Sequence, residues 1–200
     1  MGTLTRAQTA SNDQCSGLDW NWRSTEELGS KQNLSENQQF SSEERKALAD
    51  ALTRQLRAQN SSSSDEELRS LAMKSRVRYT DLNDDGKPEV IVQSADVTTC
   101  SPTGNCQFWV LRKVKNQYSV LLDETAQAFT VQPGSTNSFH DLVLTLHGSA
   151  FASDGKLLRF DGRGYTLVES FAIEWYSRDQ EGAFDRRLPE PKITECESQE

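Results

Sequence analysis

Histidine is almost missing from this chain of 200 residues, which holds only His140 and His147. The two are an odd number of positions apart, so on a shared strand their side chains face opposite ways and cannot hold one metal between them. No phosphate-cradling glycine loop and no paired metal-protease histidines occur. None of the four cysteines, Cys15, Cys100, Cys106 and Cys196, belongs to a Cys-x-x-Cys pair, which argues against zinc-finger and thioredoxin-like chemistry. Clusters of Lys and Arg are also absent, and the net charge is -8. Phosphate backbones and anionic lipid need such clusters, so no nucleic-acid partner is expected. No apolar run approaches the length of a membrane span, so no membrane insertion is expected. The first ten residues carry no apolar stretch of the kind a signal peptide needs, and none is visible.

Apolar residues make up 34% of the chain and the mean hydropathy is -0.72, so a core must be concentrated in part of it. The sequence places that core in residues 76–176. Residues 1–40, rich in Ser, Asn, Gln and Thr, read as a disordered or loosely attached segment, and 177–200 as a polar tail. Within the first segment Asp19-Trp20-Asn21-Trp22 is either a docking motif or, with both indoles on one side, a strap over the protein's own sheet. The acidic balance favours a basic partner or a cation.

Residues 41–75 read as helical. Ser41-Ser42-Glu43-Glu44 fits a capping box, and Ala47, Leu48, Ala51, Leu52 and Leu56 follow at helical spacing. Ser64-Asp65-Glu66-Glu67 starts a second helix with Leu68, Leu71 and Ala72 on its apolar side. Both faces are narrow, which suits packing on a sheet. From Arg76 the period becomes two, with strands expected at 76–80, 89–95, 107–113, 118–123, 127–132, 141–147, 156–161 and 165–175. Short turns such as Lys115-Asn116 and Asp161-Gly162 make these an antiparallel meander. The fold class is therefore α+β, mainly β. Val110-Leu111-Arg112 through Tyr118-Ser119-Val120-Leu121 also aligns with Leu157-Leu158-Arg159 through Tyr165-Thr166-Leu167-Val168 at an offset of about 47. Glu89-Val90-Ile91-Val92 aligns in the same way with Asp141-Leu142-Val143-Leu144. This predicts two related four-stranded units, propeller-blade-like or a sandwich; two are too few to close a propeller, so their sheets should pack face to face or merge into one curved sheet.

The most informative stretch is Asp81-Leu82-Asn83-Asp84-Asp85-Gly86-Lys87-Pro88-Glu89, followed by the apolar run Val90-Ile91-Val92. Asp81, Asn83, Asp85 and Glu89 alternate as a tight loop needs in order to turn several oxygens toward one hard cation, and Gly86 frees the bend. An EF-hand fits less well, because Val92 stands where a bidentate Glu is required. The same spacing also occurs in turns that bind nothing, since Asx side chains stabilise turns by themselves.

The stretch resembles the calcium loop of the FG-GAP and VCBS repeats, integrin α-like units in which the loop joins the first two strands of a four-stranded blade. The resemblance implies a structural calcium held by the side chains of Asp81, Asn83, Asp85 and Glu89 and by the Lys87 carbonyl. Glu89 stands where that family more often has Asp, and the Phe-Gly and Gly-Ala-Pro consensus is absent. In the second unit Pro133, Ser135 and Asn137 replace Asp81, Asn83 and Asp85, so one cation site is expected. Cys100-Ser101-Pro102-Thr103-Gly104-Asn105-Cys106, with the stretch from Asp141 to Ser149, is similar to a set of exported bacterial proteins carrying this loop.

Cys100 and Cys106 suit either a local disulfide, with Pro102 and Gly104 turning the chain back, or two buried thiols. Cys15 and Cys196 could form a second bridge. Disulfides imply an oxidising compartment, periplasmic or extracellular. The leading functional expectation is a non-catalytic exported binding module with a protein or glycan partner. One alternative is an inhibitor of a basic secreted enzyme such as a lysozyme. The other is a hydrolase using His147 with Ser149 and Asp141, although no Gly-x-Ser-x-Gly elbow accompanies them.

Overall fold

The computed structural model describes residues 18, 20, 26–27 and 32–198. Two helices and a set of antiparallel strands form an α+β fold that is mainly β. The helices are α1 (Ser42–Gln59) and α2 (Asp65–Lys74), and the two-residue strand β1 (Glu26–Glu27) precedes them. A four-stranded sheet follows the helices, in the order β2 (Arg76–Thr80), β3 (Glu89–Gln93), β4 (Cys106–Val114) and β5 (Gln117–Ala126). The second sheet starts with β1 and continues through β6 (Ala128–Thr136), β7 (Phe139–His147), β8 (Ala152–Phe160), β9 (Tyr165–Arg178) and β10 (Phe184–Ser198). From β2 onward each strand pairs with its neighbour in sequence, except where β5 passes to β6 and the chain changes sheet.

Alternation along the buried strands sorts their side chains into layers. Ile91, Phe108, Val110 and Leu122 of the first sheet share one core with Phe129, Leu142, Leu144, Leu158 and Phe160 of the second, so the sheets pack face to face. On the opposite face of the first sheet, Val90, Val92, Trp109 and Leu111 pack against Leu48, Leu52, Leu56 and Leu68 of the helices. The unbroken apolar runs are thus strands covered on both sides. Each fully buried large side chain contributes roughly 1.5–3 kcal/mol. Both helices start with complete capping boxes, from Ser41 with Glu44 and from Ser64 with Glu67. Arg57 with Asp65 and Arg69 with Asp50 tie the helices to each other.

Two expectations are corrected. Residues 177–200 contain β10, not only a polar tail: Ile193 and Cys196 pack with Phe171 and Ile173 on the outer face of the second sheet. That strand alternates weakly and shifts register repeatedly against β9, so it carries no period-two signal. At the other end, the loosely attached segment does not reach residue 40. Leu34 and Phe40 are fully buried in the helical layer, and Asn33 bridges Arg76. Trp20 lies across the second sheet, its indole 6.0 Å from the Phe171 ring and its Nε1–H donating to Thr130 at 3.3 Å. Trp22 lies outside the described residues.

The ladders of the two sheets break at matching places. Between β4 and β5 the register shifts after Val110, and between β8 and β9 after Leu157, the positions aligned at the offset of about 47. The hairpin that carries the acidic loop in the first sheet is closed in the second by Asn137 and Ser138, with φ of 50° and 68°. Two successive positive φ values are what a tight two-residue hairpin requires.

Candidate functional site

The 81–89 loop is held by its own side chains before any ligand is considered. Asp81 accepts from the amides of Asn83 (3.3 Å) and Gly86 (2.9 Å). Asn83 Oδ1 accepts from the Asp85 amide at 3.3 Å, and Asp85 accepts from the Lys87 amide at 2.7 Å and from Asn83 Nδ2 at 3.1 Å. Gly86 takes a φ of 77° at no steric cost, and Asp84 takes 55°. The Asn83 amide and the Lys87 N–H hold the Asp85 carboxyl below the usual range.

Glu89 differs from the rest. It opens β3, is 1% exposed, and lies under the loop with Oε2 accepting from the Leu82 amide at 3.1 Å. Its Oε1 is buried without a hydrogen-bond partner. Burial pushes its pKa up. The nearest cation is Arg112 of β4, with Nε 3.8 Å from Oε1 and an Nη 3.7 Å from Asp85, both too long for hydrogen bonds. The guanidinium also lies over the Phe139 ring of the second sheet.

Both sheets contribute to this region. The His140 amide donates to the Leu82 carbonyl at 2.7 Å, and its ring nitrogens lie 2.9 Å from the Gln132 carbonyl and 3.1 Å from Asp84. Tyr165 donates to the His140 carbonyl at 2.8 Å, and burial, reinforced by the Glu89 and Asp141 charges, raises its pKa. Asp141, which the sequence alignment sets against Glu89, lies on β7 of the second sheet. It is buried, paired with Arg159 at 3.2 Å, and left with one oxygen unpartnered. Sequence reasoning missed Arg112, His140 and Tyr165, because all three come from strands remote from the loop. Only the alignment of Arg112 with Arg159 beside the two acids offered a signal.

The structure therefore brings Asp81, Asn83, Asp85, Lys87 and Glu89 into one turn. With Asp81 and Asp85 directed at the loop's own amides, no three His, Cys, Asp or Glu side chains among the described residues are grouped so that they could hold a metal ion.

The residues of the hydrolase alternative make separate contacts. Ser149 Oγ accepts from the amides of Phe151 and Ala152, Asp141 pairs with Arg159, and the His147 main chain is clasped by Asn105 through bonds of 2.7 and 2.9 Å. Cys100 and Cys106 form a disulfide, and Cys196 is disulfide-bonded too, while its expected partner Cys15 lies outside the described residues. Among the described residues no helix is long and apolar enough to cross a membrane. No family model, characterised protein or solved structure matches the chain.

Proposed function

We propose that the protein is a non-catalytic, exported binding module of the FG-GAP/VCBS kind, its first hairpin fixed by one structural calcium ion. The observation that carries this reading is Glu89: a carboxylate buried beside a turn of oxygens, with one oxygen lacking a hydrogen bond. Leaving a buried acceptor unmet costs about 1–3 kcal/mol, which a cation at the loop offsets. The donor set suits calcium because it consists of oxygens only. Asp81, Asn83, Asp85 and Glu89 would hold the ion by their side chains and Lys87 by its carbonyl, and the ion supplies charge neutralisation, not reactivity.

Two further features support the reading. The acid and arginine pairs Glu89 with Arg112 and Asp141 with Arg159, together with the matching ladder breaks, suit one four-stranded plan used twice, the second copy without the ion loop. The disulfides suit an oxidising compartment.

A calorimetric calcium titration paired with melting curves in calcium and in chelator tests the proposal. Binding near one ion per chain is expected, and ion at a hundred times its Kd would raise the Tm by about 5–10 °C. Asp81→Ala with Asp85→Ala removes both effects. A wild-type chain that takes up no calcium and melts alike in both buffers overturns the reading.

Arg112 favours a second reading, in which its guanidinium serves as the loop's own counter-ion. Under it, Arg112→Gln lowers the Tm in chelator and calcium does not restore it. Under the calcium reading, the same variant binds calcium more tightly.

A further inference from the structure

A cleft of about 410 Å³ opens where α1 starts above the helical face of the first sheet, on the side of the 81–89 loop away from Glu89's buried carboxylate, and Glu44, Tyr79, Lys87, Lys113, Lys115 and Tyr118 line it. Its charge is unusual for this chain. The net charge of the molecule is -8, yet three ammonium groups meet one carboxylate here. That carboxylate is already engaged: Glu44 accepts from the Ser41 amide and hydroxyl and pairs with Lys113 at 2.6 Å. Lys87 and Lys115 make no ion pair among the described residues. Lys115 occupies the two-residue turn between β4 and β5 with φ of 57°, a conformation that Gly or Asn adopts at lower cost. The turn thus holds a lysine at the cleft rim against local preference.

The floor supplies a hydrogen-bond donor. Tyr118, a lining residue, is 5% exposed, and its buried hydroxyl makes no hydrogen bond of normal geometry, its one side-chain neighbour in reach being the Tyr79 phenol. Burial, with the charges of Tyr79 and Glu44 adding to it, raises the Tyr118 pKa, so the phenol keeps its proton. Tyr79 beside it is fixed by stacking on Phe40, with ring centroids 4.5 Å apart. A buried phenol O–H whose one nearby acceptor is another phenol, at a cleft also lined by two ammonium groups without ion pairs, is best met by an oxygen that bears negative charge.

We propose that this cleft binds the oxyanion of a small polar ligand, a carboxylate or a phosphate group, with Tyr118 donating a hydrogen bond and Lys87 and Lys115 supplying the charge. Lysines are point charges on flexible stems, so they accept either anion without demanding bidentate geometry. The assignment rests on no part of the calcium reading, because it uses the lysine ammonium groups and a phenol and none of the loop's oxygens.

The test is an amide-resolved NMR titration of the full chain in chelator, so that a failed cleft and a failed ion site are read separately. The probes are inorganic phosphate, glucuronate and neutral glucose. Saturable shifts at Lys87, Lys115 and Tyr118 are expected with at least one of the anions and none with glucose. A response to glucuronate alone assigns a carboxylated sugar, and a response to phosphate alone a phosphoryl group. Lys87→Gln with Lys115→Gln weakens binding roughly tenfold or more, and Tyr118→Phe, which keeps the ring, weakens it by a factor of roughly three to ten. No saturable shift with either anion, equal shifts with glucose, or unchanged affinity in the double lysine variant overturns the proposal.

Discussion

At the scale of single residues, Glu89 is where burial and charge conflict most directly. Its pKa is raised chiefly by burial. In ion-free protein its contribution to stability is therefore fully present below the ordinary glutamate range and is lost as pH rises through the raised value. Glu89→Gln keeps the shape and removes the titration. Melting temperatures in chelator should fall less steeply with rising pH in this variant than in wild type, and the calcium-dependent gain should vanish. Cys106→Ser opens the short ring closed with Cys100 and should cost about 2 kcal/mol in a denaturant titration. The sequence revealed the residues of the loop because Asp81, Asn83 and Asp85 each bond an amide within a few positions of themselves. It did not reveal Arg112 or His140, which reach the loop only through strand pairing and sheet packing.

At the scale of elements, the helices were legible almost to their ends. Ser41 with Glu44 and Ser64 with Glu67 are local signals that need no tertiary partner to act. The same carboxylates make the helical layer sensitive to acid. Lys113 above all, then the Ser41 amide, lowers the Glu44 pKa, and the Ser64 amide lowers that of Glu67. Their stabilisation is present above the ordinary glutamate range and lost as pH falls through the lowered values. Thermal melts followed by helical circular dichroism should thus lose Tm on acidification, and Glu44→Gln with Glu67→Gln should flatten that loss. β10 was invisible for the opposite reason. Its stability comes from pairing with β9 and from a few contacts, Ile193 and Cys196 among them, while most of its side chains face solvent.

At the scale of the whole molecule, the unbroken apolar run Val90-Ile91-Val92 suits a strand covered on both faces, but does not say what covers each. That choice depends on the crossing from β5 to β6, which sets one sheet against the other. The contact is close enough to exclude a methyl group. A Cβ on Gly164, in the turn between β8 and β9, would sit 2.8 Å from the Leu121 carbonyl oxygen, beside the ladder break of the first sheet. Gly164→Ala should therefore cost about 1–3 kcal/mol, since backbone, not a flexible side chain, would have to yield. Gly134→Ala, with nothing within 4 Å of the added carbon, should stay within about 0.5 kcal/mol. Because both sheets share one core, unfolding of Gly164→Ala should remain a single transition by fluorescence and by circular dichroism.

The uneven pairing of β10 also affects how the molecule meets its own copies. Among the described residues β10 is the outermost strand of its sheet, and such a margin of main-chain groups is a ready template for another chain to dock as an extra rung. Pro189 and Pro191 remove two amide donors from that strand, and its register slips three times against β9, so the margin is too crooked to be copied. The irregularity that hid this strand from a reader of the sequence is thus the kind of feature that works against fibre growth along that side.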